Sequence, residues 1–400
     1  MTARAGAGQL AGVKVVELAH VIAGPLAGTL LADLGADVVH VEAPGTGDTA
    51  RRQGPAKDGV HLWWKVAGRN KRSVTLDLRT AAGRDLAREL VAWADVLITN
   101  MRPDTLRGWG LDWETLHAAH PRLVMLQITG NGASTSVANE PGFGKVGEAR
   151  SGVVHLTGFP DGPPVHTGFS HGDSVTALMG AYGICAALVR RHEPDFTGEW
   201  IDLALFEPLF RLIEWQVIVA DQLGVTPARA GNQLAVAPAA VVNTFHSADE
   251  VWITVTSGTP RSVRNIAVLL GEPAAEYATV EQQTARKERL DTLLRAWIGA
   301  RNAADALAEM TAAEVTASRV YTAADILADP VYAEREDIVE VDDPELGPVR
   351  MQAVVPRMAE RPGRVWRTGP DLGEDNGLVL GEWLGHSAEE IEKFRAAKVI

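Results

Sequence analysis

"GVKVVELAHVIAGPLAGTLLADLGADVVHVEAP" (residues 12–44) decides the fold. Residues 12–19 form a short apolar run, the pattern of a strand buried on both faces. "PLAGTLLADLGA" (25–36) spaces its apolar residues like a helix, and "DVVHVEAP" (37–44) is a second buried strand. Short loops between them make a β-α-β unit, which requires a parallel sheet covered by helices. The rhythm repeats through "KRSVTLDL" (71–78), the amphipathic "AAGRDLARELVAWA" (81–94), "DVLITN" (95–100) and "RLVMLQITG" (122–130). Residues 12 to 130 therefore read as a Rossmann-type α/β half.

Turn residues dominate 130–172. A long apolar helix follows from Asp173, and "GEWIDLALFEPLFRLIEWQVIVADQLG" (198–224) starts as a strand and becomes a helix. "FHSADEVWITVT" (245–256) predicts a hairpin turning at "SADE", and the helical patterns after it place a smaller domain over 226–330. The segment 328–350 reads as a charged return linker, and the final helix has Ser387 as its cap.

The chain of 400 residues carries 38 Lys and Arg against 51 Asp and Glu, a formal net charge of -13. That balance disfavours general nucleic-acid binding, which needs surplus cations, but leaves room for an anion in a local basic pocket. Only one cysteine is present, so no intrachain disulfide can form. "MTARAGAGQLAG" (1–12) lacks the apolar core of a leader, and no unbroken apolar run suits a membrane span; the default location is the cytoplasm. "GAGQLAG" (6–12) precedes the first strand instead of following it, so it is not a dinucleotide loop. His166 and His171 are five apart, a spacing that fits no common metal site, and no cysteine pair supports zinc. Cys185 lies within an apolar helical pattern, as a packed thiol would.

In "GFSHGDSVTALMG" (168–180), Gly172 and Asp173 precede Val175, Leu178, Met179, Tyr182, Cys185 and Val189, a spacing that predicts the buried face of a helix. Asp173 is then a helix cap, or an ionised nucleophile beside free amides that lower its pKa. Local chemistry permits both roles.

The opening stretch resembles the class III CoA-transferases, the group of formyl-CoA transferase, carnitine CoA-transferase and α-methylacyl-CoA racemase. The likeness continues through "RNKRSVTLDLRT" (69–80), "ADVLITNMRPDTL" (94–106), "GFPDGPPVHTGFSHGDSVTALMGAYGICAALVRR" (158–191) and "TGEWIDLALFE" (197–207). It resumes in "VYTAADILADPVYAERE" (320–336), "PELGPVR" (344–350) and "LGHSAEEIEKFRAAKVI" (384–400). The resemblance implies a CoA transferase in which Asp173 is the nucleophile and passes CoA on through a mixed anhydride and an aspartyl-CoA thioester. Acyl-CoA and a small organic acid are its substrates, with no permanently bound cofactor and no metal. It implies a large Rossmann-like domain built from both chain ends (1–200 and 351–400). A linker helix (201–225), the inserted α+β domain (226–330) and the return linker (331–350) lie between them, in an interlocked homodimer.

By the same resemblance, His20, Val21, Ile22, Leu76, Arg79, Asn100, Met101 and Arg102 line the CoA pocket, and Lys71, Arg72 and Arg107 add positive charge. Phe143, His171 and Gly172 fall at the substrate end. Ile22 replaces a glutamine of formyl-CoA transferase and points to a more apolar substrate. "RAGNQLAVAP" (229–238) stands where that enzyme has a glycine-rich lid, and Ala43 and Gly108 stand where it has arginines. Racemases of the group carry a histidine thirty residues before the aspartate. Phe143 occupies that position and exchanges no proton, which disfavours a two-base racemase. A CoA-binding protein without catalysis is the remaining alternative, against which the intact "GDSV" (172–175) weighs.

Overall fold

The computed structural model describes residues 8–400. Residues 1–7, on which much of the reading of the leader and part of the 6–12 glycine pattern fall, lie outside the described residues. The chain forms two compact units. One holds the chain through Val153, His166–Val217 and Val331–Ile400; the other holds Val154–Val165 and Ile218–Pro330. The large unit thus uses both chain ends, and 154–165, read as part of it, groups with the smaller unit.

The first unit begins β1 (Lys14–Leu18), α1 (Ala23–Asp33), β2 (Asp37–Glu42), a small hairpin of β3 (Ala56–Lys57) and β4 (Val60–His61), α2 (Leu62–Ala67) and β5 (Arg72–Thr75). It continues with α3 (Ala81–Trp93), β6 (Val96–Thr99), α4 (Pro103–Trp109), α5 (Trp113–Ala119), β7 (Val124–Thr129) and α6 (Gly144–Arg150). After the single turn α7 (Val153–Leu156), most of which groups with the other unit, come α8 (His171–Val189) and β8 (Glu199–Ala204). Six parallel strands align in the order β5-β2-β1-β6-β7-β8. Both faces are covered: one core gathers Val16, Val39, Leu97 and Met125 with the helix residues Leu86 and Leu90, and the other gathers Val15, Ile98 and Leu126 with Leu31 and Ile184. That double burial is why the strands are apolar at nearly every position instead of at alternate ones.

The segment 201–225 is not one linker helix. After β8 it forms α9 (Glu207–Leu212) and α10 (Trp215–Leu223), separated at Glu214, whose φ of 27° is incompatible with a continuous helix.

In the second unit, β9 (Val241–His246) and β10 (Trp252–Ser257) make the expected hairpin. Packed helices α11 (Pro260–Leu269), α12 (Val280–Gly299) and α13 (Ala303–Ala312) follow, then β11 (Ala317–Arg319), which pairs antiparallel with β10. Phe245, Tyr277, Leu290 and Leu294 fill this core. Two short helices, α14 (Ala323–Ala328) and α15 (Pro330–Glu334), lead out. The stretch 331–350, read as a linker, belongs to the first unit and mostly folds as an antiparallel hairpin, β12 (Ile338–Asp343) with β13 (Gly347–Gln352). Gly347, at φ 72°, opens the second strand in a conformation that glycine adopts without strain.

The C-terminal segment then returns to the edge of the parallel sheet. Asp375 and Asn376 accept the Ser73 and Thr75 amides of β5 at 2.9 Å each, which blocks an otherwise open edge. Ser387 caps the last helix, α16 (Ala388–Ala396), in a reciprocal box with Glu390.

Candidate active site

In the sheet order, β1 leads outward through α1 to β2 while β6 leads the other way to β7. Their carboxyl ends therefore flank the switch point where open α/β sheets bind ligands. The two loops there are stapled: the His20 amide donates to Asn100 Oδ1 at 2.9 Å, and Asn100 Nδ2 donates back to the His20 carbonyl at 2.8 Å. Val21 follows at φ 67°, a region that a β-branched residue occupies only when held there. Asp48 does the holding, accepting the Val21 amide at 2.9 Å and the Ala50 amide at 2.8 Å.

A buried charge chain supports Asp48. His40 bonds Glu17 through Nδ1 and faces Asp48 through Nε2 at 3.5 Å. Burial works against a charged His40, but Glu17 and Asp48 outweigh it and push the ring up to about 9. Burial would raise Asp48, yet the His40 contact and the Ala50 and Val21 amides hold it below the usual carboxylate range. Lys71 ends the chain, donating to Glu17 at 2.9 Å and to the Pro25 carbonyl at 2.6 Å.

These contacts correct several sequence expectations. Lys71 is 1% exposed and neutralises Glu17, so it offers no charge to CoA. Arg72 starts β5, at the sheet edge opposite the carboxyl ends, where it lies over Trp383 and faces Asp375 at 3.5 Å. The Leu76 side chain is buried in the core, leaving only its backbone near the crevice. Arg79 is exposed and paired with Asp77 at 2.8 Å; Arg107 is exposed and paired with Asp104 at 2.7 Å. Arg102 is exposed at the start of α4, and Met101 is half-buried beside Asn100.

A cavity of about 560 Å³ opens beside the β1 loop. Val21, Ile22, Leu26 and Trp63 line it together with Phe169, Ser170 and Ser174 at the start of α8. Trp63, Phe169 and the two serines were missed in the sequence because only folding brings them to Ile22.

The acidic residue of α8 is not a cap. Ser170 occupies the cap position, without a side-chain bond, and Asp173 sits on the first turn. Its carboxylate rests directly on Gly144 of α6; a Cβ there would lie 2.1 Å from Oδ2. The expected fall in its pKa is reversed. Burial first, and then the charge of Glu148, push Asp173 up to about 6 against the pull of Lys145. One of the amides expected to favour the ionised form is taken, since Gly172 donates to Glu148 Oε1 at 3.0 Å, and the Asp173 amide opposes the rise only in part. Glu148 Oε2 accepts from His166 at 2.7 Å and from Lys145 at 3.0 Å. Burial would raise Glu148, but these three donors keep it below its ordinary value.

Around this centre, Phe143 precedes α6 with its ring 72% exposed, and His171 packs its ring against Phe169 at 5.5 Å. The buried His171 Nδ1 has no hydrogen-bond partner among the described residues. Gly172 fits where a Cβ would lie 2.6 Å from the Gly144 carbonyl, so the two helix starts touch because residue 172 is glycine. The arrangement offers an anionic oxygen nucleophile on a rigid turn, ionised above about pH 6.

The face of α8 predicted as buried is only partly so: Val175 and Met179 are half-buried, and Met179 packs against the core. Thr176, Ala177, Gly180, Ala181, Ile184 and Leu188 pack inward, because Leu126 of β7 comes so close that a Cβ at Gly180 would lie 2.6 Å from it. Leu178, Tyr182 and Val189 are exposed, and Cys185 is partly buried at the margin of the core. By length and composition alone the stretch His171–His192 could cross a membrane; in the structure α8 packs on α1 and β7.

Residues 10–376 match the family model described as CoA-transferase family III. The chain is 38% identical over 394 residues to the succinyl-CoA–D-citramalate CoA-transferase of Chloroflexus aurantiacus, covering 97% of each protein. It is 34% identical to the succinate–glutarate CoA-transferase of Agrobacterium fabrum, covering 93% of this chain and 95% of that one. A crystal structure of a CAIB/BAIF family protein from Brucella suis superimposes with a TM-score of 0.82 at 32% identity, covering 94% of this chain and 99% of that one.

Proposed function

The chain belongs to CoA-transferase family III, and on that premise we propose that it moves CoA from succinyl-CoA to a small aliphatic dicarboxylic acid, with Asp173 as the covalent nucleophile. An Asp173 oxygen attacks the thioester carbonyl, the C–S bond breaks, and CoA leaves as thiolate from a mixed anhydride. The thiolate attacks the aspartyl carbonyl and releases the donor acid as its carboxylate. The acceptor carboxylate then attacks the aspartyl-CoA thioester, CoA leaves again, and its return to the acyl carbon of the new anhydride frees Asp173. Every step exchanges one acyl bond for another, so no proton need be moved.

The observation that carries this reading is the Asp173 carboxylate lodged on Gly144, at a first turn whose neighbouring amide Glu148 has already claimed. Such a carboxylate is poorly solvated and fixed in place, two conditions that raise nucleophilicity. Names of the relatives support the donor, and the apolar wall of Val21, Ile22, Leu26 and Trp63 suits the carbon skeleton of the acid. His20 and Asn100 would hold CoA at the sheet ends, with Arg102 near its phosphates. We also propose a homodimer, supported by the exposed apolar stripe of α8.

Hydroxylamine added with succinyl-CoA should convert Asp173 to a hydroxamate detectable by mass spectrometry, and Asp173→Ala should lose at least about 10³-fold in kcat, as nucleophile removal does elsewhere. Retained transfer in Asp173→Ala would sink the mechanism. A panel of CoA donors and acids, read by mass spectrometry, identifies the substrates.

A further inference from the structure

Glu148 is an unusual neighbour for a nucleophile of the same charge. It is buried on α6, one helical turn after the Gly144 that abuts the Asp173 carboxylate. Its Cγ would lie 3.1 Å from a Cβ at Gly172. Its Oε1 takes the Gly172 amide at 3.0 Å, and its Oε2 takes His166 at 2.7 Å and Lys145 at 3.0 Å. Lys145 also donates to the carbonyls of Thr167 at 3.0 Å and Phe169 at 2.8 Å, so one cluster ties the loop before α8 to α6. The charged and titratable groups of this cluster are Lys145 and Glu148 on α6, His166 in the loop, and His171 and Asp173 on α8.

We propose that Glu148 is a positioning residue whose fixed negative charge drives the acylation of Asp173. It anchors the first turn of α8 through the Gly172 amide, and the repulsion between its charge and that of Asp173 is relieved whenever Asp173 is acylated. The inference rests on Asp173 being the nucleophile. When the Asp173 oxygen bonds to the acyl carbon and the C–S bond breaks, the negative charge leaves the carboxylate and departs on the CoA sulfur. In the aspartyl-CoA thioester the charge is absent as well. Both covalent states therefore escape a repulsion that the free enzyme bears.

Protonation and acylation remove the same charge from the same group. Whatever factor Glu148 contributes to the proton equilibrium of Asp173, it contributes to the acylation equilibrium. The imbalance is local, because Glu148 itself is held charged by three donors and keeps its charge throughout.

The test is Glu148→Gln in the full-length protein, which preserves shape and the acceptor for Gly172. Two readouts are taken: the acid limb of kcat/KM for succinyl-CoA, and the equilibrium fraction of Asp173 adduct trapped by hydroxylamine. The limb should move down by about one pH unit and the adduct equilibrium should fall by the same factor, about tenfold. Glu148→Asp keeps the charge, so both readouts should stay within about twofold of wild type, any further loss falling on kcat. Thermal melting reports whether Glu148→Gln is folded. If it is not, Lys145→Met supplies the test, because loss of the opposing cation must move both readouts upward together. An unmoved limb in a folded Glu148→Gln, equal shifts in the Gln and Asp variants, or unequal shifts of the two readouts would overturn the inference. Transfer that survives Asp173→Ala would instead remove the nucleophile reading beneath it.

Discussion

At the scale of single residues, the site runs on carboxylates whose environments diverge. Asp48 is held charged by His40 and two amides, Glu148 by three donors, and Asp173 is pushed up to about 6 by burial and by Glu148. Because the proposed mechanism uses the ionised form of Asp173, kcat/KM should be flat well above pH 6 and fall about tenfold per unit well below it. A pH–rate profile with a saturating acceptor checks this, and an acid limb near 4, the ordinary carboxylate value, would contradict it. The sequence made Asp173 visible but gave the sign of its shift wrongly. Local residues supplied only the helix start; the burial that reverses the shift, and the Glu148 charge that adds to it, come from packing against another helix. Lys71 shows the same limit. A lysine in "RNKRS" (69–73) looks like a surface cation until folding brings Glu17 to it.

At the scale of elements, the junction of α6 and α8 is built on the absence of side chains. Gly172 lets the two helix starts touch, and the Asp173 carboxylate fills the space where a Cβ of residue 144 would be. Gly144→Ala should separate stability from activity. Alanine is the better helix former by roughly 1 kcal/mol, and the group it meets is the movable end of a side chain, so the melting temperature should hold or rise. Asp173 must move aside, however, and kcat should fall on the order of 10²-fold with little change in KM. Calorimetry beside steady-state kinetics decides it; unchanged kcat would show that the carboxylate need not rest on Gly144. The strands of the parallel sheet were legible, since a doubly covered sheet leaves apolar runs that need no partner to be recognised, whereas the β12–β13 hairpin was read as a linker. The Ser387 cap was legible because its partner Glu390 is three residues away. The orientation of α8 was not, because both of its faces are apolar and the smaller residues, not the larger, meet the sheet.

At the scale of the whole molecule, that misreading of α8 becomes informative. A helical stripe of large apolar residues that is not core must be covered by something else or remain in water. Leu178, Tyr182 and Val189 are 56%, 71% and 79% exposed and recur at the spacing of one helix face. Scattered exposed apolar residues are ordinary, but a stripe along one helix marks an interface. In the homodimer proposed above, the occupant of that stripe is a second copy of the same chain. A two-fold interface is self-complementary, so one charge introduced on the stripe appears twice across it. Tyr182→Glu lies outside the inward-facing residues of α8 and more than two turns from Asp173, so it should fold while weakening association. Sedimentation is expected to give a dimer for the wild type and a shift to monomer for the variant, with activity falling alongside the dimer fraction. A wild-type monomer with full transferase activity would leave the stripe unexplained and the dimer disproved.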